Sequence, residues 1–173
     1  MTIDNNTIAK FPQTPFYYYD MKLFTRTLDE LAAVSSEYGI DVHYAVKANN
    51  EPKLLKLIAS RGFGADCVSG NEVLLSAKCG FAPKKIMFAG VGKTDKEITD
   101  ALTVGIGAFN VESIPELENI NLIAARLGVV APVQLRINPN IDAHTHKYIT
   151  TGLDENKFGF PQASFKAAVD AVN

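Results

Sequence analysis

A strand-like run followed by a capped helix recurs down this chain, and that recurrence restricts its fold more than any other feature. The runs begin near His43, Gly64, Lys85, Gly107 and Pro132, at intervals of 21, 21, 22 and 25 residues. Each of the first four leads into a helical pattern. Between strand and helix stand Ser69…Glu72, Thr94…Glu97 and Ser113…Glu116, the S/T-x-x-E signature in which hydroxyl and carboxylate cap the first turn of a helix. After Ser113, Leu117, Ile120, Ala124 and Leu127 recur at helical spacing before Gly128, as an amphipathic helix with a glycine stop requires. Strand, capped helix, glycine, strand is a βα ladder with parallel strands. An open doubly wound sheet and a closed (β/α)8 barrel both use it. The even spacing favours the barrel, as does the lack of a G-x-G-x-x-G turn after the first strand. A barrel needs eight strands and typically ~250 residues, whereas these 173 residues hold about five βα units. The expected fold is an α/β TIM barrel present in part. Residues 1–38 are an N-terminal strand and helix, and 39–173 the partial barrel.

In the N-terminal part, Phe16-Tyr17-Tyr18-Tyr19 reads as a strand. Asp20 then caps a helix that buries Phe24, Leu28, Leu31 and Val34 and ends near Gly39. With 47% hydrophobic residues, one sizeable core is within reach. A net charge of −2 gives no electrostatic case for nucleic acid or an anionic membrane. No apolar run approaches the ~20 residues of a membrane span. Met1 to Lys10 is polar and lacks the pattern of a secretion signal, so the cytoplasm is the expected compartment. Cys67 and Cys79 are too far apart for a CxxC site and read as buried free thiols.

Chemistry is expected where strands feed helices, because α/β folds place their sites at the carboxyl ends of strands. Lys47 stands there in His43-Tyr44-Ala45-Val46-Lys47-Ala48-Asn49-Asn50. Asn50 is the expected cap of a helix with Pro52 in its first turn and Leu54, Leu57 and Ile58 on one side. Lys47 has two readings. Its stem covers apolar surface with the ammonium in water, or it is partly desolvated and able to condense with a carbonyl. Asp66 ends the next strand, as a turn carboxylate or as a neighbour of Lys47. Arg136 sits inside the apolar run Gln134-Leu135-Arg136-Ile137. A guanidinium there needs acceptors, which points to a functional or charge-network role. Gly90-Val91-Gly92-Lys93-Thr94 is not a phosphate loop, since Met87 stands where that pattern needs glycine. Lys93 could still face anions at the barrel mouth. The polar stretch from Ile141 to Leu153 reads as a lid or substrate wall. His144 and His146 within it lack a third ligand at sensible spacing, so no metal site is expected.

Tyr44-Ala45-Val46-Lys47-Ala48-Asn49, Asp66 to Glu72, Leu135 to Pro139, Asp142-Ala143-His144-Thr145-His146 and Lys157-Phe158-Gly159 together resemble, in order and spacing, the barrel of fold-type III pyridoxal-phosphate decarboxylases. The Ala-His-Thr-His stretch followed by Lys-Phe-Gly is similar to the branch acting on diaminopimelate rather than ornithine or arginine. The likeness implies pyridoxal 5'-phosphate as cofactor, Lys47 as the lysine that carries it, and Asp66, Glu72 and Arg136 around it. It implies His144, His146 and Ile149 in a substrate loop. It further implies decarboxylation of meso-2,6-diaminopimelate to L-lysine and CO2, in lysine biosynthesis, by a homodimer. The family's β-rich second domain, its phosphate loop and its pyridine-pairing glutamate belong to later sequence, so this chain alone is expected to be inactive. The alternatives are a non-catalytic coenzyme-binding barrel, or a related ornithine or arginine decarboxylase.

Overall fold

The computed structural model describes residues 9–10, 13–138 and 158–172. Its first helix, α1 (Met21–Tyr38), starts where Asp20 accepts from the Leu23 N–H at 2.9 Å and stops at Gly39, whose left-handed φ of 63° ends the helix. A parallel ladder follows: β1 (His43–Ala45), α2 (Pro52–Ala59), β2 (Gly64–Cys67), α3 (Gly70–Lys78), β3 (Ile86–Phe88), α4 (Asp95–Val104), β4 (Ala108–Val111), α5 (Ile114–Leu127) and β5 (Val133–Leu135). The five strands are ordered β1-β2-β3-β4-β5 in one sheet, each parallel to its neighbour. Every strand begins within one residue of the position expected from the repeat. Beyond β5, β6 (Ile137–Asn138) pairs in parallel with β7 (Phe160–Pro161), and α6 (Phe165–Val172) closes the described chain.

One face of the sheet is apolar and packed. Ala65, Cys67, Ile86, Phe88, Phe109 and Val111 are all buried, in one cluster with Leu55, Ile58, Val73, Ile98, Leu117 and Ile120 of the helices. Crossover helices cover this face, as they do in parallel sheets. Ala45, Asp66 and Met87 stand opposite one another in register, and Asn110 opposes Gln134. These residues belong to the other face and are all at least partly exposed. That face is the inner wall of a barrel of which five strands are present, and it carries the polar side chains.

Three expectations are corrected. Phe16–Tyr19 belongs to neither sheet among the described residues. Aromatic residues prefer strands, but a preference does not by itself place a segment in a sheet. Leu31 and Val34 are 39% and 51% exposed, because no described element covers that side of α1, and Leu28 is its one buried residue. The cap of α2 is Glu51 rather than Asn50: its side chain accepts from the Lys53 N–H at 3.2 Å, while Asn49 accepts from the Glu51 N–H at 3.0 Å. Cys67 and Cys79 are free and buried, as expected.

Candidate active site

The strands stop in line, so the residues just beyond them share one edge. Lys47 lies in a 3-10 turn (Val46–Ala48) directly after β1. Val46 beside it is fully buried, which fixes the turn, but Lys47 itself is exposed rather than partly desolvated. Asn49 pins the turn from three sides. Its amide donates to the Tyr19 hydroxyl at 3.0 Å, its carbonyl accepts from the Tyr44 hydroxyl at 3.2 Å, and its side-chain oxygen holds the Glu51 N–H. Burial, with Tyr19 alongside, pushes the Tyr44 phenol up, so it stays a donor. Lys47 and Glu72 line one cleft of about 480 Å³ together with Tyr17, Tyr19 and Glu51. The two tyrosine rings are stacked there, 6.4 Å apart. Asp66 lies one strand over, opposite Ala45. The side chain of neither Lys47 nor Asp66 has a hydrogen bond or ion pair among the described residues.

The capping glutamates show how this edge is held. The Thr94–Glu97 box is reciprocal, with bonds of 3.0 and 3.3 Å. Glu97 also accepts from the Gly70 N–H at 2.8 Å, tying the start of α4 to that of α3. The Thr94 and Gly70 backbone donors hold the Glu97 carboxyl below its ordinary range. In the other two boxes the serine accepts as expected, but the glutamate reaches one residue further back. Glu72 takes the Val68 N–H and Glu116 the Glu112 N–H, both at 2.8 Å. Lys93 does not face anions at the mouth. Its side chain is 1% exposed, and its ammonium donates to Glu116 at 2.6 Å, Gly90 O at 2.7 Å and Asn110 O at 2.9 Å. Every proton of that ammonium is used, which makes it a structural clamp.

Arg136 is at the far edge of the sheet from Lys47. It follows β5 and breaks the strand: its N–H donates to Val111 O at 2.9 Å, and its carbonyl accepts from Phe160 N–H at 2.7 Å. The guanidinium is 40% exposed rather than buried, and the acceptor it needs is Glu112, at 2.9 Å. Glu112 was not singled out from sequence. The available signal was a charged residue one position past a strand end, next to a helix cap. Lys47 and Glu72 therefore meet, Asp66 adjoins them, and Arg136 stands four strands away, about 19 Å along the sheet at the usual ~4.8 Å spacing. His144, His146 and Ile149 lie outside the described residues, and no metal-binding group of side chains occurs among the described ones.

A family model described as the pyridoxal binding domain of pyridoxal-dependent decarboxylases matches residues 24–173. The chain belongs to that family. It is 53% identical over 161 residues, 92% of this chain, to diaminopimelate decarboxylase of Bacteroides thetaiotaomicron. It covers 97% of its own length on a crystal structure of a diaminopimelate decarboxylase variant from Helicobacter pylori complexed with L-lysine, at 40% identity and a TM-score of 0.86. The arginine decarboxylase of Paramecium bursaria Chlorella virus is less similar, at 26% identity and a TM-score of 0.70 over 85% of the chain. The chain spans 42% of the length of both the Bacteroides relative and the Helicobacter structure. The partial TIM barrel of a fold-type III pyridoxal-phosphate enzyme is thus the observed architecture.

The donor set suits pyridoxal phosphate. A primary amine just past β1 and a carboxylate on β2, neither side chain partnered among the described residues, stand at the carboxyl ends of the strands, and a guanidinium stands past the carboxyl end of β5. The second oxygen of Glu112 is buried and unpaired. A buried acceptor left unsatisfied costs about 1–3 kcal/mol, and this one stands beside Arg136.

Proposed function

We propose that the complete protein decarboxylates meso-2,6-diaminopimelate to L-lysine and CO2 in lysine biosynthesis, with pyridoxal 5'-phosphate as cofactor. The observation that carries this reading is the likeness, across 97% of the chain, to a diaminopimelate decarboxylase complexed with L-lysine, the reaction's product. The weaker likeness to an arginine decarboxylase supports the branch assignment.

Lys47 is the residue that attaches the coenzyme. Its amine ends a turn anchored by Val46 and Asn49, so a covalent bond there is held at a fixed place. When bound, the coenzyme supplies an electron sink for the electrons left by departing CO2. Asp66, on the inner face beside Lys47, accepts from the coenzyme's polar hydrogens. Glu72 walls the same cleft and is oriented by the Val68 N–H. Arg136 offers a planar cation to an anionic group of coenzyme or substrate. Lys47 Nζ would hold the coenzyme and would pass a proton at this edge. His144, His146 and Ile149 belong to the substrate loop.

No helix among the described residues is long and apolar enough to cross a membrane. The charge balance argues against nucleic acid. We place the working protein in the cytoplasm as a homodimer, with its second domain beyond residues 39–173.

Substrate choice is the test. The distal end of meso-diaminopimelate is a zwitterion, and a site built to pair its extra carboxylate discriminates against simple diamino acids, whose binding leaves that partner unsatisfied. The complete protein should show a kcat/KM for diaminopimelate at least about 10³-fold above those for ornithine, arginine and lysine, the scale of polar-group discrimination. Comparable values for ornithine and diaminopimelate would sink the assignment.

A further inference from the structure

Arg136 is held by more than its place in the chain. Glu112 Oε1 accepts from its Nη1 at 2.9 Å, and the Glu112 side chain is only 4% exposed. On another side the guanidinium lies over the Phe158 ring, 5.2 Å from its centroid. Gly159 lets the chain come this close: a Cβ there would stand 2.6 Å from Arg136 O, and its φ of +86° is strained for any other residue. Phe160 completes the contact with its N–H on Arg136 O at 2.7 Å. An arginine side chain left alone samples many rotamers, and ordering one costs conformational entropy. Here a buried carboxylate and an aromatic face hold the guanidinium before any ligand arrives.

We propose that Glu112 and Phe158 are positioning residues that form a seat for Arg136, pre-ordering its guanidinium for the anionic group it binds. This rests on the assignment of Arg136 to the coenzyme site. The seat explains why a carboxylate is buried one residue past β4 with one oxygen unpaired. Oε1 is committed to Arg136, while Oε2 has no donor among the described residues. The pair also differs from a surface ion pair, because the acid is buried while the base reaches solvent, where a ligand can meet it.

The experiment is a double-mutant cycle on the coenzyme-free complete protein. Pyridoxal phosphate is titrated in, and the visible-edge absorbance of the attached coenzyme is followed. Melting of each coenzyme-free variant reports its fold. R136Q should weaken coenzyme binding at least as much as either seat variant. E112Q should raise Kd about tenfold, or about 1.4 kcal/mol. F158L, which leaves the ion pair intact, should raise it about two- to threefold. Added to R136Q, neither should weaken binding by more than about twofold, because residues acting through one group are not additive. Additive losses, or an unchanged Kd in E112Q and F158L beside a weakened R136Q, would overturn the seat while leaving the role of Arg136 standing. An unchanged Kd in R136Q would remove both. Should E112Q fail to fold, as removal of a buried partner can cause, F158L and its cycle with R136Q decide alone.

Discussion

At the scale of single residues, position rather than burial singles out Lys47. It is exposed among the described residues. Its neighbours supply fixation instead, through buried Val46 and through Asn49, which links the turn to Tyr19, Tyr44 and Glu51. In the complete protein, Lys47→Ala should abolish the visible-edge absorbance of attached coenzyme. Borohydride should then no longer fix coenzyme to the peptide spanning residues 43–53. Label that still reaches that peptide, or that moves to Lys93, would refute the assignment. Lys93 is a poor substitute, since its ammonium is fully bonded and sealed from solvent.

The elements are tied together by the residues that begin the helices. Glu97 caps α4 and holds the first N–H of α3, and Lys93 joins Glu116 of α5 to the Asn110 carbonyl of β4 and the Gly90 carbonyl of its own loop. Because folding lowers the Glu97 pKa from its ordinary 4.5, the charged carboxylate favours the native state. That stability is present above about pH 4.5 and is lost as pH falls through the lower folded value. Glu97→Gln should flatten the acid limb of a stability–pH profile below that point and leave its neutral-to-alkaline shape unchanged. An unaltered acid limb would show that the Thr94 and Gly70 donors do not act through this charge. Lys93→Ala should cost about 3–5 kcal/mol in chemical denaturation, the usual loss on breaking a buried pair. A loss under about 1 kcal/mol would mean that the clamp is not in place. These links also mark what was legible beforehand. The strand starts and all three caps followed from local pattern, because a cap and its glutamate are three residues apart and answer to backbone geometry. The distant partners of Glu97, Lys93 and Arg136 are 17 to 27 residues away in sequence. Contacts of that range depend on how strands line up, which periodicity alone does not specify. Phe16–Tyr19 was misread for the same reason, since a run of aromatic residues states a preference for strand and not which register, if any, it joins.

At the scale of the whole molecule, the five-stranded sheet has two edges and an inner face. Among the described residues β1 and β5 each have one neighbour in the sheet, and closure of a barrel would supply the other. The consequences are visible near β5, where Val133 and Leu135 are only half-buried and Ile137 and Val130 are 48% and 93% exposed. Parallel strands are normally covered on both faces, so these residues call for a partner surface. Residues 1–173 expressed alone should therefore self-associate, or fold marginally until supplied with the remainder of a full-length relative. Sedimentation velocity at low micromolar concentration should show dimers or larger species. Decarboxylation should be absent, because Lys47 and Asp66 at one edge and Arg136 four strands away supply too few contacts to orient coenzyme and substrate. A monomer that melts cooperatively and releases CO2 from diaminopimelate would overturn this, and would mean that half a barrel suffices for the chemistry.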